Sequence, residues 1–131
     1  MCEDSIRLAA AGLTSLVDLA DRPWVMEPDD TTPGQWALSQ CRRAGFEPDV
    51  RYTSTDLTFH ARLIEQDLAV GFLPDLLWHD QPATITLADL PDHPSRRVFT
   101  AIRQGARTHP SIRAARAILR TAAGGKHGTT D

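Results

Sequence analysis

Leu68-Ala69-Val70-Gly71-Phe72-Leu73, closed by Pro74, decides the fold. The run is apolar throughout and of strand length. A strand with one wet face alternates apolar and polar residues, whereas an unbroken run belongs to a strand covered by helices on both faces. Upstream of it, Leu57 to Gln66 reads as a helix with Phe59, Leu63 and Ile64 as its expected buried positions, and Ser54-Thr55-Asp56 supplies capping residues ahead of it. Asp49 to Thr53 alternates as a strand does, with Val50 and Tyr52 facing one way. Trp36, Ala37, Leu38, Cys41 and Ala44 form the apolar stripe of another helix, which Gly45 stops. Thr32 is its expected cap, Pro33 its first helical residue and Gln35 the partner in a capping box. Trp24-Val25-Met26, between Pro23 and Pro28, is short enough for a buried strand. Before it, Leu13, Leu16, Val17 and Ala20 are spaced for one face of a helix over 13–21, ended ahead of Pro23.

Downstream of the apolar run, 84–87 and 97–103 read as weaker strands, and Pro110 opens a last helix. Ile112, Ala115, Leu119 and Ala122 line one side of that helix, and Arg113, Arg116 and Arg120 the other. Residues 124–131 are expected to be a flexible polar tail. This order of elements predicts an α/β fold: a three-layer open sheet, mostly parallel, with right-handed crossovers.

At 131 residues the chain has the size of one domain. Its apolar share of 41% and charged share of 24% are those of a chain that can pack a core, which excludes wholesale disorder. A formal net charge of −3 speaks against a nucleic-acid surface, which rests on clustered positive charge. No apolar run approaches the ~20 residues that span a bilayer. Met1 is followed by Cys2, Glu3 and Asp4, where a secretory signal would carry positive charge, so the expected location is cytoplasmic. Cys2 and Cys41 form neither a metal spacing nor a disulfide framework. Cys2 is placed at a frayed terminus, and Cys41 reads as a small buried hydrophobe.

In open α/β sheets, ligands bind beyond the carboxyl ends of the strands, where loops lead into helix N-termini. Two loops stand out: Asp30-Thr31-Thr32 after the Trp24 strand and Ser54-Thr55-Asp56 after the Tyr52 strand. Each offers hydroxyls and unpaired backbone N–H groups, a setting that suits a carboxylate or phosphate, although the same residues also serve as plain helix caps. Phe72 and Pro74 close the third strand at the same edge, where Phe72 either lines a pocket or packs into the core. Asp29 and Asp30 read as a solvated loop rather than metal ligands. The histidines at 60, 79, 93, 109 and 127 show no partnering pattern, and there is no nucleophile elbow, Gly-rich phosphate loop or zinc-type histidine pair. No catalytic residue, cofactor or metal is assigned.

Four segments resemble LysR-type transcriptional regulators in order and spacing: SLVDLADRPWV (15–25), CRRAGFEPDV (41–50), LIEQDLAVGFLP (63–74) and RRVFTAIRQGARTHPSIRAARAIL (96–119). The resemblance spans roughly 6–121. It implies the effector-sensing half of such a regulator, of the type II periplasmic-binding-protein fold: the second subdomain with a return strand and helix. On this reading 1–123 is a partial effector-binding domain, without the winged-helix DNA-binding half and most of the first subdomain. The implied ligand is a small organic, anionic effector held by Thr31, Thr32, Ser54, Thr55, Phe72 and Pro74, which match the family's cleft-facing loops. No direct nucleic-acid contact and no membrane contact are expected. The apolar side of the last helix is expected to lack cover, so that the chain self-associates or pairs with a DNA-binding partner. The family has glycines where this chain has Asp67 and Ala69, and Asp67 is expected to take the left-handed conformation of a helix end. The alternatives are a free-standing solute-binding or protein-interaction module of the same fold and, further off, a small α/β enzyme.

Overall fold

The computed structural model describes residues 2–12 and 15–124. Leu13, which begins the first expected helix, and residues 125–131 of the expected tail lie outside the described residues, while Gly124 is the last residue of the final helix. The described chain forms two compact units, one of residues 5–94 and one of 2–4 with 95–124.

The 5–94 unit holds the core. Strand β1 (Cys2–Ala10) runs antiparallel to β4 (Gly71–Pro74) and β5 (Thr86–Ala88), with Leu8 opposite both Phe72 and Ala88. Strand β2 (Pro23–Met26) pairs in parallel with β3 (Asp49–Thr53). A parallel bridge joins Trp24 to Val70, through Val25 N–H to Val70 O at 3.0 Å and Val70 N–H to Pro23 O at 2.9 Å. The expected mostly parallel sheet is therefore corrected for these strands: among the described residues β2, β3 and the Val70 bridge pair in parallel, while β1 runs the other way against β4 and β5. The miss has a residue-level cause. The first element expected from the sequence begins only at Leu13, yet Cys2 to Ala10 is a nine-residue strand. Cys2 is half-buried within it rather than frayed.

Two apolar clusters alternate along the strands. Leu8, Ala10, Trp24, Met26, Val70 and Phe72 pack with Ala37 and Cys41 of α1 (Thr32–Arg43). Ala9, Val25, Ala69 and Leu73 pack with Ala61 and Ile64 of α2 (Leu57–Glu65). Successive strand residues point to opposite faces, so α1 covers one face and α2 the other. The apolar run at 68–74 is unbroken for that reason, although its first residue, Leu68, is exposed.

Local chemistry sets the ends. Gly45, at φ +97, terminates α1 as expected. Asp67, at φ 56, takes the left-handed conformation after α2, and its amide closes on Ile64 O at 2.9 Å while that of Leu68 closes on Leu63 O at 2.9 Å. The expected helix over 13–21 is only a 3-10 turn at Val17–Leu19. The Trp24 indole N–H takes the Leu19 carbonyl at 3.1 Å, and the Arg22 amide takes it too, so that carbonyl is spent on ending the turn. In α2 the buried positions are His60, Ala61 and Ile64, while Phe59 is 41% exposed, a one-position rotation from the expected face.

In the other unit, β6 (Ser95–Val98) pairs with β1 and the Arg96 guanidinium holds the buried Asp4 carboxylate at 2.9 Å. The strand expected at 97–103 thus begins and ends earlier. The helix α3 (Pro110–Gly124) starts at the expected proline, but none of its residues is buried.

Candidate functional site

Strand direction assembles the site. Because β2, β3 and the segment from Val70 into β4 run in parallel, Met26, Thr53 and Pro74 end at one edge, and both α1 and α2 begin there. The Ser54 amide donates to Met26 O at 3.1 Å, which ties the second loop to the end of β2. An open cavity of about 280 Å³ lies at this edge, lined by Met26, Glu27, Pro28, Asp29, Leu38, Val50 and Thr53.

Identifiable contacts hold the loop before α1. Thr31, not Thr32, is the N-cap, one residue earlier than expected, since its extended backbone (φ −102, ψ 154) precedes the first helical residue. Its hydroxyl accepts from the Gly34 amide at 3.2 Å and donates to Pro28 O at 2.5 Å. Gln35 does not close a capping box, because its side-chain amide donates to Asp29 O at 2.6 Å. Gly34 presses so closely on the loop that a Cβ there would lie 2.0 Å from Pro28 O. Before α2, Asp56 is the cap, its carboxylate accepting from the amides of Thr58 at 2.9 Å and Phe59 at 3.4 Å. The Ser54 hydroxyl accepts from the Asp56 amide at 3.0 Å. The buried His60 Nε2 donates to Ser54 O at 2.6 Å, since a carbonyl only accepts.

Of the six residues singled out in the sequence, Thr31, Thr32, Ser54, Thr55 and Pro74 lie at this edge. Phe72 belongs to the core, with ring centroids 5.3 Å from Trp24 and 5.2 Å from Trp36. Pro74 is buried, Thr31 has its hydroxyl committed to the cap, and Thr32 and Thr55 are exposed. The cavity walls come from the neighbours of these six. Met26 and Thr53 were findable as the last residues of their strands, whereas Leu38 and Val50 reach the cavity only through tertiary packing. His60 gave no sequence signal because its partner is a backbone carbonyl.

Charge at this edge is negative. Glu27, Asp29, Asp30 and Asp56 crowd it, and Asp56 already occupies the start of α2. The edge therefore offers hydroxyls and carboxylates rather than the positive field expected of bare helix ends. Away from the edge, burial first and then the Glu47 charge push the Cys41 thiol up to about 12, consistent with a core residue and not a nucleophile. Among the described residues no group of three or more His, Cys, Asp or Glu is placed to hold a metal ion, and no helix is long and apolar enough to cross a membrane.

The family described as "LysR substrate binding domain" matches residues 1–124. Over 71 residues the chain is 28% identical to the HTH-type transcriptional regulator YwbI of Bacillus subtilis, covering 54% of this chain and 24% of that protein. Its fold is similar to that of the C-terminal domain of a probable LysR family transcriptional regulator from Rhodococcus sp. RHA1, with TM-score 0.61 and 22% identity over 92% of this chain and 63% of that one. HinK, a LysR family transcriptional regulator from Pseudomonas aeruginosa, is similar with TM-score 0.57 and 16% identity over 94% of this chain and 46% of that one. The chain thus spans about a quarter of the curated relative and under two thirds of either solved neighbour.

Proposed function

The chain belongs to the LysR substrate-binding-domain family, and from that premise we propose that it is the effector-sensing module of a transcriptional regulator, binding a small organic molecule at the edge where β2, β3 and β4 end. One observation carries the reading: parallel alignment brings three strand ends and two helix starts together beside an open cavity. Within this proposal the unit is one subdomain of a three-layer, type II periplasmic-binding-protein-like receptor. Thr32, Ser54 and Thr55 give hydroxyl or backbone contacts, while Thr31, Phe72 and Pro74 shape the loops behind them. The acids at the edge favour a donor-bearing end of the effector here, so an anionic end finds its countercharge outside this edge.

Thermal-shift screening of small organic amines, alcohols and acids tests this. A ligand at ~100 times its Kd stabilises by about 2.7 kcal/mol. Ser54→Ala with Thr55→Ala is expected to weaken a hit about fivefold to thirtyfold, as loss of one or two neutral hydrogen bonds does. A hit whose affinity ignores both substitutions contradicts the assignment.

The proposal extends to a partner. Transcriptional control then passes through a DNA-binding module joined to or paired with this chain. On α3, Ile118 is 69% and Leu119 53% exposed, and self-association covers that face. Light scattering at high concentration checks it: oligomers are expected, and a monodisperse monomer speaks against it.

A further inference from the structure

Outside the edge described above, the 95–124 segment holds a second open cavity, of about 350 Å³, lined by Thr100, Ala101, Ile102, Gln104, Arg107 and Arg116. We infer that this cavity is an oxyanion site, taking the phosphate or carboxylate group of a small molecule between the guanidinium groups of Arg107 and Arg116. This site is separate from the proposed effector edge and does not depend on it.

Four polar side chains line the cavity, and each can donate: two guanidiniums, the Gln104 amide and the Thr100 hydroxyl. None is a carboxylate. Most other arginines are neutralised within the fold, and only Arg97, Arg103, Arg113 and Arg120 share with the cavity pair the lack of an ion pair among the described residues. All six arginines of residues 5–94 form ion pairs, and Arg96 pairs with Asp4. Arg107 and Arg116 have no ion pair among the described residues. Arg116 is instead steadied by its Nε–H donating to Thr100 Oγ1 at 3.4 Å, a long bond that links the helix to the cavity wall.

The surroundings reinforce this. Residues 95–124 contain seven arginines and no Asp or Glu, a formal +7, whereas residues 5–94 carry fourteen acids against six arginines, a formal −8. The overall −3 hides this division. Two like charges facing one cavity repel each other, and an anion between them removes that cost while gaining forked, charge-assisted hydrogen bonds. The volume is many times that of one water, ~30 Å³, so an organic substituent has room beside Ala101 and Ile102.

The test titrates the full chain with inorganic phosphate and, separately, with succinate, at constant ionic strength, following backbone amides by NMR. Saturable shifts at Ala101, Ile102 and Gln104 with either anion are the expected result. Joint Arg107→Ala and Arg116→Ala should weaken binding at least about tenfold, the loss of a charge-assisted hydrogen bond. Joint Arg113→Ala and Arg120→Ala removes equal charge from α3 outside the cavity and should change affinity less than about twofold. Absence of saturation with both anions overturns the site, and so does equal weakening by the two arginine pairs, which marks a diffuse field. Ser54→Ala with Thr55→Ala should leave phosphate affinity unchanged; weakening there moves the anion to the effector edge and overturns this inference alone.

Discussion

Residues 5–94 and residues 95–124 solve the folding problem to different degrees. The first stretch packs two apolar clusters on opposite faces of its strands and pairs every arginine with an acid. The second has one amphipathic helix with no buried residue, leaves Phe99 67% exposed and contains no acid. Exposed ion pairs contribute little stability, so the contrast that matters is burial. The lesson is that the stretch with a finished core is the one able to hold a preorganised edge, while the other leaves most of its described apolar and positive side chains exposed.

Substitutions can break or sharpen that contrast. The largest effect is expected from Trp24→Ala, which empties a fully buried site at the junction of β2, Phe46 and Phe72. Chemical denaturation should show a loss of about 3–5 kcal/mol. Gly34→Ala comes next, because its Cβ would strike the Pro28 carbonyl; about 1–3 kcal/mol is expected, and a neutral result would mean the loop before α1 yields freely. Asp56→Ala removes the α2 cap and should cost about 1 kcal/mol in the same assay.

Cys41 should contribute no pH dependence near neutrality. Its folded pKa is raised from 9.0 to about 12, so the buried neutral thiol is favoured and that preference is fully present below pH 9. As pH climbs from about 9 towards 12 the unfolded thiol ionises first and stability falls. Urea midpoints across that range should decline in the wild type more than in Cys41→Ala. The smallest effect is expected from Leu119→Ala: under about 0.5 kcal/mol, against the 2–5 kcal/mol of a buried leucine. A core-sized loss there would erase the contrast.

Much of the first stretch was legible because its signals are local. The unbroken run at 68–74, the stripe from Trp36 to Ala44, the glycine at 45 and the caps ahead of α2 each carry a short-range physical cause. Strand β1 was not legible, since Ile6 and Leu8 to Ala10 acquire meaning only from β4 and β5, which lie some sixty to eighty residues away. Without it the sheet reads as parallel. The edge loops were locatable from strand ends, but their chemistry was not. That Asp56 rather than a bare amide fills the start of α2, and that Thr31 spends its hydroxyl on Pro28, follows from geometry alone. Arg107 and Arg116, without an ion pair among the described residues, were visible as residues and invisible as a pair beside one cavity, because net charge averages over both stretches.

Native-state hydrogen exchange tests the central claim most directly, since it reads opening free energy amide by amide. The account predicts that Val25 and Val70, which donate across the core, exchange only through global unfolding, while amides of α3 from Arg113 to Thr121 exchange orders of magnitude faster. Equal protection in α3 and at Val25 would contradict it, for the helix would then share a finished core with the strands.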